Sequence, residues 1–240
     1  VPMVELRTVH QVRFLSDNAG RVAFDLPELM GQETWLTVAG DGYEVPVDGY
    51  GKRGVRLTPQ PGASLTIEVN RTCIAKRLGR LTGAGLFGES QKLGLDSDWK
   101  ESGVLGCDSV QNAVHDGRMF WGWGDTNIAR YVLGIFDTTS ATTVIRPFAS
   151  FEPPLRLKFD YFADDTGRPR GVAKMPGKGP TWLTGYVSLP DKTGTQRLVA
   201  AYLKSKPPMD GHEFGRGVGN EETANFTQAR RWWANTEGRP

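Results

Sequence analysis

The chain has 240 residues, 38% hydrophobic and 23% charged, with 29 Lys and Arg against 27 Asp and Glu for a formal charge of +2. That balance argues against a nucleic-acid partner, which needs a clustered basic face; the densest basic stretch, Lys76-Arg77 with Arg71 and Arg80, reads as ordinary solvated surface. No apolar run approaches the roughly 20 residues that a bilayer-spanning helix takes, while 30 Gly and 15 Pro suit short strands joined by tight turns.

The chain opens at Val1 directly in a strand-like run, so a removed leader or a missing N-terminus is expected. Val4 to Phe14 alternates apolar and polar residues at Val4 and Leu6 and, after a slip, at Val12 and Phe14, which is strand periodicity. Ser16 to Gly20 is a turn cluster, and Arg21 to Phe24 resumes a strand. Thr34 to Val38 predicts another, Asp41-Gly42 and Asp48-Gly49 mark turns, and Gly54 to Leu57 and Ser64 to Val69 complete the set. Short strands at this spacing predict a small β-sandwich over residues 1–71. The phrase VELRTVHQVRFLSDNAGRVAFD resembles the carboxypeptidase-regulatory, transthyretin-like (Cna-B-like) sandwiches attached to many secreted enzymes. The resemblance implies a spacer or adhesive module without catalysis.

Residues 72–103 read as a connector, in which Ile74, Leu78 and Leu81 fit one side of a helical turn or two. Gly-Ala-Gly-Leu-Phe-Gly at 83–88 has the wrong spacing for a dinucleotide loop, because the polar, turn-like Ser90 to Asp98 follows where a helix is needed. The two cysteines, Cys73 and Cys107, are too few for a disulfide scaffold and read as free thiols, with a bridge between connector and C-terminal part as the alternative. Asn70-Arg71-Thr72 and Asn225-Phe226-Thr227 match the glycosylation sequon, which matters only in a eukaryotic secretory setting.

From Val104 the texture changes. Val104 to His115 predicts a strand, Asp116-Gly117 a hairpin turn and Arg118 to Gly124 the partner strand. Thr181 to Leu189, the turn Pro190 to Gly194 and Arg197 to Leu203 form a second such pair, finished by His212 to Gly219 and Asn225 to Gln228. Repeated antiparallel sheets of this kind predict a β-propeller over 104–240, of about two blades. Tyr131 to Ala173, with Pro147, Pro153 and Pro154, is long for a blade and reads in part as an inserted loop able to cover a site. No closing strand follows Arg230, so the propeller is expected to be truncated. The fold expectation is therefore all-β: a small N-terminal sandwich and the first blades of an incomplete propeller.

The stretch GCDSVQNAVHDGRMFWGWGDTNIARYVLGIF, Gly106 to Phe136, resembles bacterial propeller proteins whose first blade reads G-x-D-S, a hairpin, then an aromatic strand ending W-G-D-T-N. It is also similar to the five-bladed glycoside-hydrolase propellers, some of which are linked to endo-arabinan cleavage. By position, the resemblance makes Asp108 the inner-strand carboxylate and Asp125 the Asp of the aromatic-strand motif, the two candidate catalytic residues. Carboxylates suit this chemistry: one protonated acid and one ionised partner flank a glycosidic bond, roughly 6.5–9.5 Å apart in inverting enzymes and about 5 Å in retaining ones. Each has a structural alternative, Asp108 as a strand-start bond to backbone amides and Asp125 as part of a turn-forming trio with Thr126 and Asn127.

Trp121, Trp123 and Trp182 are candidate sugar-stacking platforms, although Trp121 and Trp123 alternate with Phe120 and one face of that strand must be core. Asn127 and Arg130 follow the motif as candidate contacts to hydroxyls or a carboxylate. His10, His115 and His212 lie in separate regions, which argues against a zinc site. No cofactor is expected; a structural calcium ion is compatible with a propeller, although no D-x-D-x-D-G loop is present. No G-x-S-x-G elbow supports a serine triad. These readings imply a secreted or cell-envelope, glycan-directed protein that hydrolyses a polysaccharide. The alternatives are a non-catalytic module that binds carbohydrate or protein, and a structural spacer and scaffold.

Overall fold

The computed structural model describes residues 1–82, 88–96, 103–152, 155–207, 209–220 and 224–235, with the backbone alone for Val132 and Leu133. Most of the glycine cluster at 83–88 lies outside them. The protein is all-β, 45% strand and 5% helix; the described residues form five antiparallel sheets, none of which closes on itself. It divides into two compact units: Val1–Lys100 with Pro147–Arg156, and Glu101–Arg146 with Leu157–Pro240.

In the first unit, β1 (Glu5–Thr8), β2 (Arg13–Leu15), β3 (Thr34–Ala39) and β5 (Gly54–Leu57) form a sheet in the order β2-β1-β3-β5. β4 (Tyr43–Glu44) pairs with β6 (Asn70–Arg71). Alternation works as the pleat requires: Leu36 and Val38 of β3 are buried with Val4, Leu6 and Val45, while Trp35 turns outward beneath the Arg56 guanidinium, 5.6 Å from its ring centre.

Two expected strands do not form. Along Arg21 to Phe24 the apolar side chains do their part, with Val22 on the core and Phe24 stacked on Phe14 at 4.8 Å. The Ala23 N–H, however, donates to the buried Glu89 carboxylate (2.8 Å) instead of to a neighbouring strand. Along Ser64 to Val69, Ile67 and Val69 touch the core but no sheet partner lies alongside among the described residues, and pairing begins only at Asn70. Period-two hydrophobicity reports which side chains face inward; it does not supply a backbone partner.

The connector forms no helix at Ile74 to Leu81, and Ile74 is fully exposed. A single turn, α1 (Glu89–Lys92), forms instead. The Ser16 to Gly20 turn grips this segment. Asp17 accepts bonds from the Ser90 N–H (2.7 Å) and hydroxyl (2.5 Å), and Asn18 exchanges a reciprocal pair of bonds with the Arg80 backbone.

The second unit contains β7 (Val104–Cys107), β8 (Gln111–His115), β9 (Arg118–Trp123), β10 (Thr126–Ile128), β11 (Tyr131–Ile135), β12 (Thr139–Val144), β13 (Asp160–Tyr161), β14 (Thr181–Pro190), β15 (Gln196–Lys206), β16 (Asp210–Asn220) and β17 (Asn225–Ala234). They build sheets β11-β10-β7, β13-β12-β9-β8 and the meander β14-β15-β16-β17. The two-residue turn forms as predicted, with Asp116 (φ 47°) and Gly117 (φ 69°) left-handed between paired His115 and Arg118. The second hairpin also forms: the Asp191 carboxylate organises its turn by accepting the Thr193 and Thr195 N–H groups, and Gly194 is left-handed at φ 87°.

The predicted strand Val104 to His115 divides in two at Ser109, which takes φ 52°. The span 131–173, read in part as loop, also contributes β11, β12 and β13. Tyr202, Leu198, Ala200, Leu183 and Phe226 form the inner face of the meander and bury Phe120, Val172 and Met175. Gly215 and Gly217 stand among them because a Cβ there would lie 2.4 Å from the Tyr202 ring and 2.8 Å from Met175.

Candidate functional site

The site is built from the long hairpin whose tip is Asp116-Gly117. The register that pairs Gln111 with Gly122 on β8 and β9 is the one that pairs Cys107 with Thr126 on β7 and β10. Asp108 therefore falls opposite Asp125, in the gap between the two paired stretches. The Asp108 N–H donates to the Asp125 carbonyl (3.0 Å), and the Gly124 N–H donates to the Asp108 carbonyl (2.9 Å). The ladder is displaced by one residue here, and the left-handed Ser109 provides the bend. Asp108 and Asp125 are thus cross-strand neighbours, close enough for the Asp108 charge to act on the Asp125 carboxyl.

Their environments differ. Asp108 is exposed, and one carboxylate oxygen accepts the Ser109 N–H (2.5 Å) and hydroxyl (3.3 Å). Asp125 is half-buried, and its Oδ1 has no hydrogen-bond partner among the described residues. Burial pushes the Asp125 carboxyl above the ordinary carboxylate range; the Trp182 indole N–H opposes that shift and the Asp108 charge adds to it. Trp182 is half-buried at the start of β14, and its indole N–H donates to the Phe136 carbonyl (2.5 Å).

Asn127 lies two residues beyond Asp125, opposite Gly106, whose missing side chain leaves room for the Asn127 amide 3.4 Å from where a Cβ would stand. Asp108, Asp125, Asn127 and Trp182 are thus brought together. Three other candidates stand elsewhere. Arg130 is exposed in the turn joining β10 to β11. Trp121 donates its indole N–H to Thr143 (2.9 Å) and meets the Phe159 ring edge-on. Trp123 is 3% exposed, packed between Phe159 and Tyr161, so neither of its faces is open to a sugar.

A hydroxyl layer that the sequence reading missed holds the site in place. Thr126, Thr138 and Thr139 are fully buried; Thr126 and Thr139 share a hydroxyl–hydroxyl bond (2.5 Å), and Thr138 accepts the Leu183 N–H (2.8 Å). Asp137 accepts the Thr181 N–H (2.8 Å). Together these bonds fix the start of β14, and with it Trp182, beside the segment that follows β11. The only signal was the run Thr138-Thr139-Ser140-Ala141-Thr142-Thr143, whose hydroxyls look like solvent-facing residues until their bonds are counted.

The neighbouring Cys107 is half-buried and unbridged, and burial pushes its thiol up to about 12. Among the described residues no group of three or more His, Cys, Asp or Glu side chains is placed to hold a metal ion. Chemically, the arrangement offers one carboxyl that keeps its proton to higher pH, an exposed carboxylate beside it, an amide and an indole ring. No protein-family model, curated protein or solved structure matches the chain.

Proposed function

We propose that the second unit acts on a glycan, with Asp125 as general acid and Asp108 as nucleophile in hydrolysis of a glycosidic bond. The observation that carries this reading is that Asp108 and Asp125 lie opposite one another across the hairpin in unequal environments. Carboxyls on adjacent cross-strand residues suit the close spacing of retaining glycosidases, about 5–5.5 Å, and the reaction is written in that form. In that scheme Asp108 attacks the anomeric carbon as Asp125 gives its proton to the departing oxygen. Water, deprotonated by Asp125, then releases the sugar and returns Asp108 to its free carboxylate. Trp182 supplies the stacking face and Asn127 a hydroxyl contact.

The meander β14–β17 and the sheet β13-β12-β9-β8 are read as propeller-type sheets in this proposal, and the first unit as a sandwich-type accessory module of a secreted protein. The test is release of reducing sugar from a panel of plant and bacterial polysaccharides by the wild type, Asp108→Asn and Asp125→Asn. Release by the wild type and by neither variant supports the assignment; equal release by all three defeats it. A second reading, a binding module without catalysis, is favoured by the Asp108 oxygen already engaged by Ser109. It predicts retained polymer binding with no release.

A further inference from the structure

The outer face of the β14–β17 meander carries a rung of large apolar side chains that crosses all its strands. Trp182 is paired with Leu203, Leu203 with Phe214 and Phe214 with Trp233. Phe214 is 40% exposed, and its ring lies 5.8 Å from that of Trp233. The bulged residue beside them, Trp232, is 56% exposed. At a strand spacing of about 4.8 Å this rung runs roughly 14 Å, and it begins at the tryptophan beside Asp125.

Two residues along the sheet, on the same face, Ala201 is paired with Arg216 and Arg216 with Arg230. Both arginines are exposed, and neither is paired with a carboxylate among the described residues. Like charges directly opposed across a ladder are destabilising, and a bound anion relieves that repulsion. Charge thus changes sign along the platform, with carboxyls at the β14 end and guanidiniums on β16 and β17.

We propose that this face is the bed for the polymer, and that the polymer is a carboxylated polysaccharide, a polyuronate. Sugar rings lie along the Trp182-Leu203-Phe214-Trp233 rung while uronate groups meet Arg216 and Arg230. The inference rests on the glycan reading above and names its substrate class. A single-stranded nucleic acid is the less suitable occupant, because its binding sites track the backbone with a continuous positive groove, and here the exposed arginines form a single cross-strand pair.

The test is binding of the full chain to polygalacturonate, to its fully methyl-esterified neutral form and to a single-stranded oligonucleotide, at low and high salt. The variants are Phe214→Ala, Trp233→Ala and the double variant Arg216→Gln/Arg230→Gln, with near-ultraviolet circular dichroism as the folding control. Polygalacturonate should bind about tenfold tighter than the ester, the change that about 1.4 kcal/mol makes. The double variant should lose that advantage together with its salt dependence. Each aromatic variant should weaken both polymers about tenfold. No binding, equal binding of charged and neutral polymer, a double variant without effect, or tighter binding to the oligonucleotide would overturn the proposal. Binding through the rung without sugar release leaves it standing and removes hydrolysis. Sugar release that the variants leave unchanged does the reverse.

Discussion

Replacing Gly215, Gly217 and Gly219 of β16 by alanine, one at a time, should give three different costs in a fixed order. All three positions lie outside the left-handed region, so sterics and packing decide the outcome. At Gly215 the new methyl would stand 2.3 Å from the Arg230 carbonyl and 2.4 Å from the Tyr202 ring. Neither neighbour can yield: one is backbone, and Tyr202 is 1% exposed. Overpacking costs about 1–3 kcal/mol. Moving the ring also breaks the Tyr202 hydroxyl bond to the Glu213 carboxylate (2.6 Å), and a bond to a charged group contributes roughly 1.5–3 kcal/mol. The smaller unfolded-state entropy of alanine returns about 0.5–1 kcal/mol, leaving a net loss of about 2–5 kcal/mol.

At Gly217 the methyl meets only the flexible end of Met175 at 2.8 Å, so about 1 kcal/mol is expected. At Gly219 the nearest atom is the Leu198 carbonyl at 3.4 Å, and the effect should stay within about 0.5 kcal/mol. Urea unfolding followed by tryptophan fluorescence reads mainly the second unit, which holds five of the seven tryptophans, Trp121, Trp123, Trp182, Trp232 and Trp233. Equal costs at the three positions, or a Gly215 variant as stable as the Gly219 one, would refute the described packing of Tyr202 on the glycine face.

Asp125 holds its proton more tightly in the folded protein than in the unfolded chain. Its contribution is therefore full below the ordinary carboxylate pKa and is lost as pH rises through the raised native value; unfolding midpoints at stepped pH should show Asp125→Asn flattening that slope, and parallel wild-type and variant curves would contradict the shift. With burial holding the Cys107 thiol near pKa 12 and Cys73 exposed, a disulfide-exchange reagent at pH 8 should titrate one thiol quickly and the second only on unfolding; two fast thiols, or none, would contradict this. Asn18→Ala leaves the Arg80 N–H and carbonyl without their partner, at about 1–3 kcal/mol for the first unit. Trypsin should then cut sooner near Arg77 and Arg80, and an unchanged digestion rate would show that the bonds do not hold the connector.

What could be read from the sequence was mostly turn chemistry. Asp116-Gly117 demands two left-handed residues and the Pro190 to Gly194 turn a left-handed glycine and bonds to the Asp191 carboxylate, and both hairpins form around them. Strand existence was less legible wherever burial and pairing part company. Ser64 to Val69 has the alternation of a strand but no neighbouring edge, and Ala23 is taken by a glutamate side chain. β16 was expected over His212 to Gly219 and forms, but its packing was not legible: Gly215 and Gly217 are what let Tyr202 and Met175 close on the sheet. The site was legible as a set of residue types, but which tryptophan remains open depended on Phe159 and Tyr161, which lie far along the chain from Trp123.

The opposition of Asp108 and Asp125 follows from the turn more directly than from any motif. A two-residue turn at Asp116-Gly117 fixes His115 against Arg118, and every pair counted back from the tip is then determined. The left-handed Ser109 and the displaced Gly124 bond open the ladder between the paired stretches without changing the count, since Cys107 still meets Thr126 beyond the break. A slip of one residue in that arm would send Asp125 to the other face, away from both Asp108 and Trp182. The local disorder of the ladder therefore does not weaken the pairing of the carboxyls. It frees both from regular strand geometry while the tip and the base of the hairpin hold them opposite one another, and that combination lets one oxygen of Asp125 sit buried and unpartnered beside an exposed charge.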